Sequence, residues 1–430
     1  MNYKNNHIYR QFFRDDYGTK KRIDCDNTQL KTLESDDLDY LESLIDLINS
    51  NVNEFSHTLK LILEFTQKHG FIDENDVILC SNLIFLCINE IENICNPKDT
   101  ENAIKILHSL CIPDRTCYAI AKNRFITVSC QYLQKKFCPC MDIVLLILIN
   151  LILTPKMSEF FHNFNFNAVF EVLECKKGDS SVIKSGFLFL SKAITLLDIG
   201  EPNQIANDIN ELINNQFIFD DDGFAGICMT LAQLMKKRLM SVDFFCNSCI
   251  YGFVLNYFKF DPNSVLMLLV ETLIIDPHFD VQINIVYFCE KFTQSIMNME
   301  EKRIVFFSLF FSRLIEQDSS IIDDAIVYEI IFTMFSKIHS FGFFTKSIFF
   351  HFIVQVMESS FVSCLVGIDV LTLISFFKEM DPLSMELDLM KQVFRTGVGS
   401  LLTSYEISGK IDYYVEFKEY LQTHIDNNTV

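Results

Sequence analysis

The chain has no tryptophan and very little glycine or proline. Among its 430 residues are 13 glycines and 8 prolines, whereas phenylalanine occurs 43 times and 50% of the residues are hydrophobic. An all-β protein with many tight turns needs more glycine and proline than this. Few helix breakers, together with Leu, Ile and Phe at helical spacing, are typical of an all-α fold. The hydrophobic content also excludes global disorder.

Positive charge is scarce as well. The chain has 36 basic and 56 acidic residues and a formal net charge of −20. Such a surface repels phosphate backbones, so its electrostatics disfavour nucleic acids as partners and favour basic peptides. The alternative explanation is that the charge only keeps a hydrophobic chain in solution.

No stretch is long and apolar enough to cross a bilayer. The longest run without a charged residue, 244–258, has 15 residues, whereas a spanning helix needs about 20. The start, MNYKNNHIYRQFF, has no apolar signal-peptide core. The 15 cysteines are scattered, mostly through apolar helical patterns, which is typical of reduced, buried thiols. We therefore expect no membrane contact and a cytoplasmic or nuclear location.

One helical pattern recurs along the chain. Its equivalent positions are Phe65, Ser109, Asn150, Lys192, Gln233, Lys291, Phe332 and Ile374. The steps between them are 44, 41, 42, 41, 58, 41 and 42 residues, and steps of about 40–47 residues are typical of two- and three-helix repeats. We interpret the 58-residue step as an inserted or irregular unit around residues 246–258. Because one repeat cannot bury its own apolar stripe, neighbouring repeats must stack.

The same pattern gives the domain organisation. Residues 1–35 are polar, contain the cluster Lys20-Lys21-Arg22, and are interpreted as a flexible N-terminal arm. Residues 36–430 are interpreted as a repeat solenoid, whose first helix follows the capping side chains of segment 35–37. The charged amphipathic end, 412–430, suits a capping helix.

No catalytic or metal-binding motif emerges. HExxH, GxxxxGK[ST], GxGxxG and GxSxG are all absent. The CPC segment 138–140 and the CNSC segment 246–249 lie more than two repeats apart, too far to share the four ligands of a structural zinc. The DDDG segment 220–223 lacks a calcium-binding loop and is interpreted as a solvated helix start. We expect no enzyme activity, no metal and no cofactor.

The block 150–194 resembles an armadillo repeat. It has Asn-Leu ending one third helix, a proline, a short first helix, a second helix, a Gly/Asp loop and the next third helix. Residues 281–292 are similar, while the entry segment 44–65 and the basic cluster of the arm resemble importin-α. The resemblance implies a right-handed armadillo/HEAT-type α-solenoid superhelix.

The resemblance also implies binding residues. In importin-α, Trp and Asn residues four positions apart on the third helices hold a basic peptide in a groove. The Trp positions here are Lys105, Leu146, Leu188, Met229, Tyr287, Tyr328 and Val370, and the Asn positions begin at Ser109. The groove candidates are therefore Ser109, Asn150, Gln233, Tyr287 and Tyr328. Lys192 and Lys291 would repel a basic peptide, and Asn150 could instead make a structural bond to the Thr154 loop.

The function that the resemblance implies is protein binding without catalysis. It implies an importin-α-like adaptor for nuclear import that holds extended, basic peptide cargo in a concave groove. Lys20, Lys21 and Arg22 would then bind a transport receptor or dock into the groove, the alternative being a solvated charge cluster. A general armadillo scaffold for protein assembly outside nuclear import is the other interpretation.

Overall fold

The fold is described from a computed structural model of the chain. The structure describes residues 35–50, 54–69, 77–94, 96–111, 114–135, 138–176, 178–197, 202–215, 221–257, 262–276, 279, 301–317, 324–380 and 388–424. Throughout these ranges the regular structure is helical, with no strand. The contacts divide the chain into two compact units, Met1–Lys237 and Arg238–Val430. The predicted all-α solenoid fold is confirmed, whereas its handedness stays a prediction.

The helices of the first unit are α1 (Ser35–Ser50), α2 (Phe55–His69), α3 (Val77–Asn93), α4 (Pro97–Leu110), α5 (Asp114–Lys122), α6 (Phe125–Leu133), α7 (Met141–Leu153), α8 (Asn167–Cys175), α9 (Ser180–Leu196), α10 (Pro202–Asn214) and α11 (Asp221–Lys236). Side-chain caps set several of these starts. Asn96 accepts a hydrogen bond from the Lys98 amide in front of α4, and Asp179 accepts from the amides of Ser181 and Val182 in front of α9.

Two layers of helices form this unit. In the first layer α2, α4, α7, α9 and α11 pack in succession, and in the second α1, α3, α6 and α8 do so. The helix α7 explains why the first layer stacks, because nine of its thirteen residues, from Met141 to Ile152, are buried. One repeat cannot bury an apolar surface of this size alone, so α4, α7 and α9 are each covered by stacked helices on both sides.

The helices of the second unit are α12 (Val242–Asn247), α13 (Cys249–Tyr257), α14 (Pro262–Ile275), α15 (Glu301–Gln317), α16 (Asp324–Ser336), α17 (Phe343–Glu358), α18 (Val370–Met380), α19 (Asp388–Ile407) and α20 (Ile411–His424). A 3-10 helix, Ser360–Gly367, precedes α18. Here α14, α15, α17 and α19 pack in succession, while α16 packs against the 3-10 helix and α18 against α20.

One expectation for this unit is corrected and another stays untested. Segment 246–257 supplies the end of α12 and all of α13, two short helices that precede the longer α14, but Lys291, which ends the 58-residue step, lies outside the described residues. Phe332 and Ile374, proposed as repeat equivalents of Asn150, lie on α16 and α18 rather than on the continuous stack. The helix at the predicted capping position is α20, which exposes Asp412, Glu416 and Glu419.

Three polar side chains connect one repeat to the next at a nearly constant sequence separation. Ser56 donates to Asp99 across 43 residues, and Thr345 donates to Glu301 across 44. Lys410 likewise donates to the carbonyl of Val366 across 44 residues. The first two of these bonds join the starts of successive stacked helices, so the repeat step inferred from the sequence is a structural period there.

Among the described helices, none by itself combines the length and apolar character needed to span a membrane. The pair Phe343–Glu358 and Ser360–Gly367 meets those criteria only together, across a bend of 117°.

Candidate functional site

The first layer of the first unit contains a line of equivalent residues, most of which are half-buried. On α4, α7, α9 and α11 these residues are four positions apart, and we call them the repeat stripe: Lys105, Ser109, Leu146, Asn150, Leu188, Lys192, Met229 and Gln233. Leu146 illustrates the pattern, because it is half-buried between Leu145 and Ile147, which are fully buried. The positions inferred from the armadillo resemblance thus fall on one side of one stack in this unit.

Asn150 is the most unusual member of the repeat stripe. It is 1% exposed, and its side-chain Oδ1 is buried without a hydrogen-bond partner in the part of the chain described. The Thr154 loop is bonded nearby, but Thr154 Oγ1 donates to the backbone carbonyl of Asn150 at 2.9 Å and leaves the amide oxygen unsatisfied. A buried polar atom left in this state costs about 1–3 kcal/mol of stability. Packing alone therefore gives no reason for an amide at this position.

The other candidates on the repeat stripe differ in exposure. Gln233 is 4% exposed, whereas Ser109 is half-buried and donates within its helix to the Lys105 carbonyl at 3.1 Å. Asn150 and Gln233 therefore lie within the packing, beneath the half-buried side chains beside them. Their contact with a peptide stays a prediction.

Two lysines set the charge of the repeat stripe. A hydrogen bond from Lys105 to Glu101 raises the pKa of Lys105, so this cation is already partly compensated. Burial lowers the pKa of Lys192, which is half-buried on α9. Because both positions carry positive side chains, the repeat stripe suits a lysine-rich ligand less well than an acidic groove would.

The remaining predicted residues are not placed on this stripe. Tyr328 lies on α16 of the second unit, off the stack formed by α14, α15, α17 and α19. Its ring packs so closely on Gly367 that a side chain on Gly367 would overlap it, and Phe332 lies 6.0 Å away between ring centroids. Tyr287, Lys20, Lys21 and Arg22 lie outside the described residues.

Polar residues on the second unit's stack were missed. Gln355 on α17 donates to Glu316 on α15 at 2.8 Å, and Arg313 pairs with the same carboxylate. Gln355 Oε1, His351 Nε2 and Ser308 Oγ are buried without a hydrogen-bond partner in the described structure. A sequence signal existed, because Ser308, Ser312 and Glu316 and then Ser347, His351 and Gln355 recur at intervals of four inside apolar helices.

The cysteine pairs form no metal centre within the described residues, where no group of three or more metal-ligating side chains occurs. None of Cys138, Cys140, Cys246 and Cys249 forms a disulfide within the described residues; Cys138 is buried and the other three are half-buried. Burial raises the pKa of Cys140 to about 11, so its thiol stays protonated at neutral pH. Such thiols act as small packing groups.

Comparison with known proteins supports the fold alone. No protein-family model matches the chain, and no curated protein matches it. Among solved structures, the crystal structure of an engineered protein from a structural genomics consortium is similar, with a TM-score of 0.59 and 11% sequence identity. The similarity covers 89% of this chain and 93% of that one. It supports a helical solenoid, the architecture already seen in the packing of both units.

Proposed function

We propose that this protein is a non-catalytic interaction solenoid that binds extended segments of partner proteins along the repeat stripe. The observation that carries the proposal is the stripe itself, which offers half-buried side chains once per repeat on four successive helices. Stacked repeats create a long continuous surface of this kind, and an extended chain can contact several repeats at once. The unsatisfied Oδ1 of Asn150 is buried, and it would become an acceptor for a backbone amide of such a segment if the half-buried side chains beside it moved aside on binding.

The chemistry of the repeat stripe favours a scaffold that accepts apolar side chains. Leu146, Leu188 and Met229 supply half-buried apolar contacts on consecutive helices. Lys192 lies on the same helix as Leu188 and would attract a carboxylate of the ligand. A segment with aliphatic side chains and acidic residues fits this pattern better than a run of lysines.

An importin-α-like nuclear import adaptor is the narrower form of the proposal. Its support is the sequence resemblance, the net charge of −20 and the basic cluster Lys20-Lys21-Arg22. In this form the repeat stripe would bind basic cargo, and the arm would bind a transport receptor or occupy the stripe.

Fluorescence anisotropy with two labelled peptides of equal length distinguishes the forms. One is a lysine-rich nuclear localisation peptide and the other a leucine- and glutamate-rich peptide. The scaffold form predicts that the second binds more tightly, and the adaptor form predicts the reverse. Binding of neither peptide, at any concentration up to millimolar, would count against the repeat stripe as a peptide site.

The variant Leu188→Arg locates the binding. It places a charge on the repeat stripe and should weaken the preferred peptide by about tenfold, which corresponds to about 1.4 kcal/mol. The matched control is Leu196→Arg on the same helix, because Leu196 is exposed and lies off the stripe. Equal weakening by both variants would mean that the peptide does not bind at the stripe.

A further inference from the structure

The first unit contains a cleft that includes no residue of the repeat stripe. It has a volume of about 680 Å³ and lies between the exposed side of α5 and the loop that follows α7. Small-molecule sites usually have volumes of about 300–1,000 Å³. The cleft is therefore large enough for a ligand or for the side chain of a partner, and its lining indicates which chemistry it suits.

An aromatic ring held in a fixed orientation lines the cleft. Tyr118 on α5 is 45% exposed, although large aromatic side chains are usually covered. Its ring meets Phe160 edge to face, with centroids 5.5 Å apart and an interplanar angle of 87°. The phenolic oxygen makes no hydrogen bond within the described residues. Tyr118 thus presents an oriented ring and a free donor to the cleft.

Positive charge lies next to this ring. Lys122 is four residues after Tyr118 on the same helix, so both side chains project from one side of α5. Lys122 is exposed and has no ion pair among the residues that the structure describes. Asp114 and Arg115 also line the cleft, but each already has another interaction. The uncompensated charge at this cleft is positive, in contrast to the chain's net charge of −20.

The exposed apolar residue on the other wall of the cleft is Pro155. Met157 and Thr154 also line this wall, but both are buried. The proline ring offers a flat apolar surface, so a planar apolar group can lie between Pro155 and Tyr118 while an anionic group reaches Lys122.

We propose that the cleft binds an aryl phosphate, with its ring between Tyr118 and Pro155 and its phosphate on Lys122. The anion accepts hydrogen bonds from the ammonium group and from the Tyr118 hydroxyl, both of which are donors without a partner in the described structure. The same chemistry occurs in a phosphotyrosine side chain of a partner protein and in a free aryl phosphate. This site does not depend on peptide binding at the repeat stripe.

Isothermal titration calorimetry on the full chain tests the proposal with phenyl phosphate as the probe. We expect saturable binding at one site, weakened at least about tenfold by Tyr118→Ala and by Lys122→Glu. The matched controls are Phe85→Ala, an exposed ring on α3, and Lys98→Glu, an exposed lysine on α4. Both controls should change the affinity by less than about twofold.

Several results would overturn the proposal. If inorganic phosphate bound as tightly as phenyl phosphate, the cleft would recognise charge alone. If phenol bound as tightly as phenyl phosphate, the cleft would recognise the ring alone. Equal weakening by Lys98→Glu and Lys122→Glu would place the probe elsewhere. Circular dichroism checks that each variant is folded, and Lys122→Gln serves as a second variant because Lys122 is exposed.

A phosphotyrosine peptide identifies the source of the ligand. Affinity at least about tenfold above that of phenyl phosphate supports a partner protein that contacts the cleft's rim as well. Equal affinity supports a free aryl phosphate.

Discussion

Gly226 on α11 lies directly against Phe187 on α9. A Cβ atom at position 226 would stand 2.6 Å from Phe187 Cβ, closer than such atoms can approach. One turn later, Thr230 Oγ1 lies 3.3 Å from the Phe187 carbonyl and donates to the Gly226 carbonyl at 2.8 Å. The two neighbouring repeats therefore approach each other through a glycine, and the helix spacing depends on it.

Gly226→Ala should destabilise the first unit by about 1–3 kcal/mol, because the added methyl group overpacks the contact between α9 and α11. Urea denaturation followed by circular dichroism measures the loss. Gly399→Ala is the control, since nothing lies within 4 Å of its added Cβ and alanine favours a helix. If both variants were equally stable, the close approach at Gly226 would not constrain the packing.

Asn150→Leu should raise the stability of the first unit by about 1 kcal/mol, because it removes a buried amide oxygen that has no partner. The same variant should weaken a peptide that binds the repeat stripe, so stability and affinity should change in opposite directions. Thermal denaturation and fluorescence anisotropy measure the two effects. A lower melting temperature would instead show that the amide makes a stabilising bond in the folded protein.

His351 should make the protein less stable in mild acid. Burial lowers the pKa of His351 below its usual 6.5, with Arg313 acting in the same direction and Glu316 opposing it. The unfolded chain therefore binds this proton more readily, so the stability present above pH 6.5 is lost as the pH falls toward the lowered folded pKa.

Melting temperatures measured between neutral pH and mild acid test this expectation. His351→Gln should flatten the acid side of the profile, while His57→Gln, at an exposed position on α2, should leave its shape unchanged. An unchanged profile in His351→Gln would assign the acid sensitivity to other groups.

Glu379→Ala should cost more stability than Lys346→Met. Lys346 Nζ lies 2.6 Å from Glu379 Oε1, and the Lys346 side chain is 9% exposed against 43% for Glu379. Removing Glu379 leaves a buried ammonium group without its partner, whereas methionine keeps the packing and removes the charge. We expect losses of about 1–3 kcal/mol and less than about 1 kcal/mol respectively, measured by urea denaturation. The reverse order would show that the lysine stem, rather than the ion pair, matters.

The sequence was sufficient to locate the repeats of the first unit. Ser109, Asn150, Lys192 and Gln233 lie on consecutive helices of one stack, as their steps of 41 or 42 residues predicted. This worked because α7, nine of whose thirteen residues are buried, is the most apolar helix of the first unit and gave a clear position from which to count the step.

In the second unit the same reasoning chose the wrong helices. The α16 segment AIVYEIIF is as apolar as the stacked helices, and Phe332 and Ile374 are separated by the same step of 42 residues. Because the helices of both layers recur at the same step, the step alone cannot show to which layer a helix belongs. Tyr328 was therefore assigned to a stack that does not contain α16.

The cleft beside Tyr118 could not be predicted either. Tyr118 and Lys122 are neighbours on one helix, but Pro155 lines the cleft from the loop after α7, and Phe160 contacts the ring from the 3-10 helix Ser158–Phe161. Periodicity describes how a helix faces its stack and gives no information about where a connecting loop folds back.

The bonds between successive repeats bear on how this chain can change in length. Since Ser56–Asp99 and Thr345–Glu301 each join positions one repeat apart, gaining or losing a whole repeat leaves such pairings in register. Gaining or losing a few residues inside a helix shifts every pairing beyond it. Genes encoding such proteins should therefore tolerate duplication and loss of complete modules far better than short insertions within helices, with length differences between variants clustering near multiples of one module.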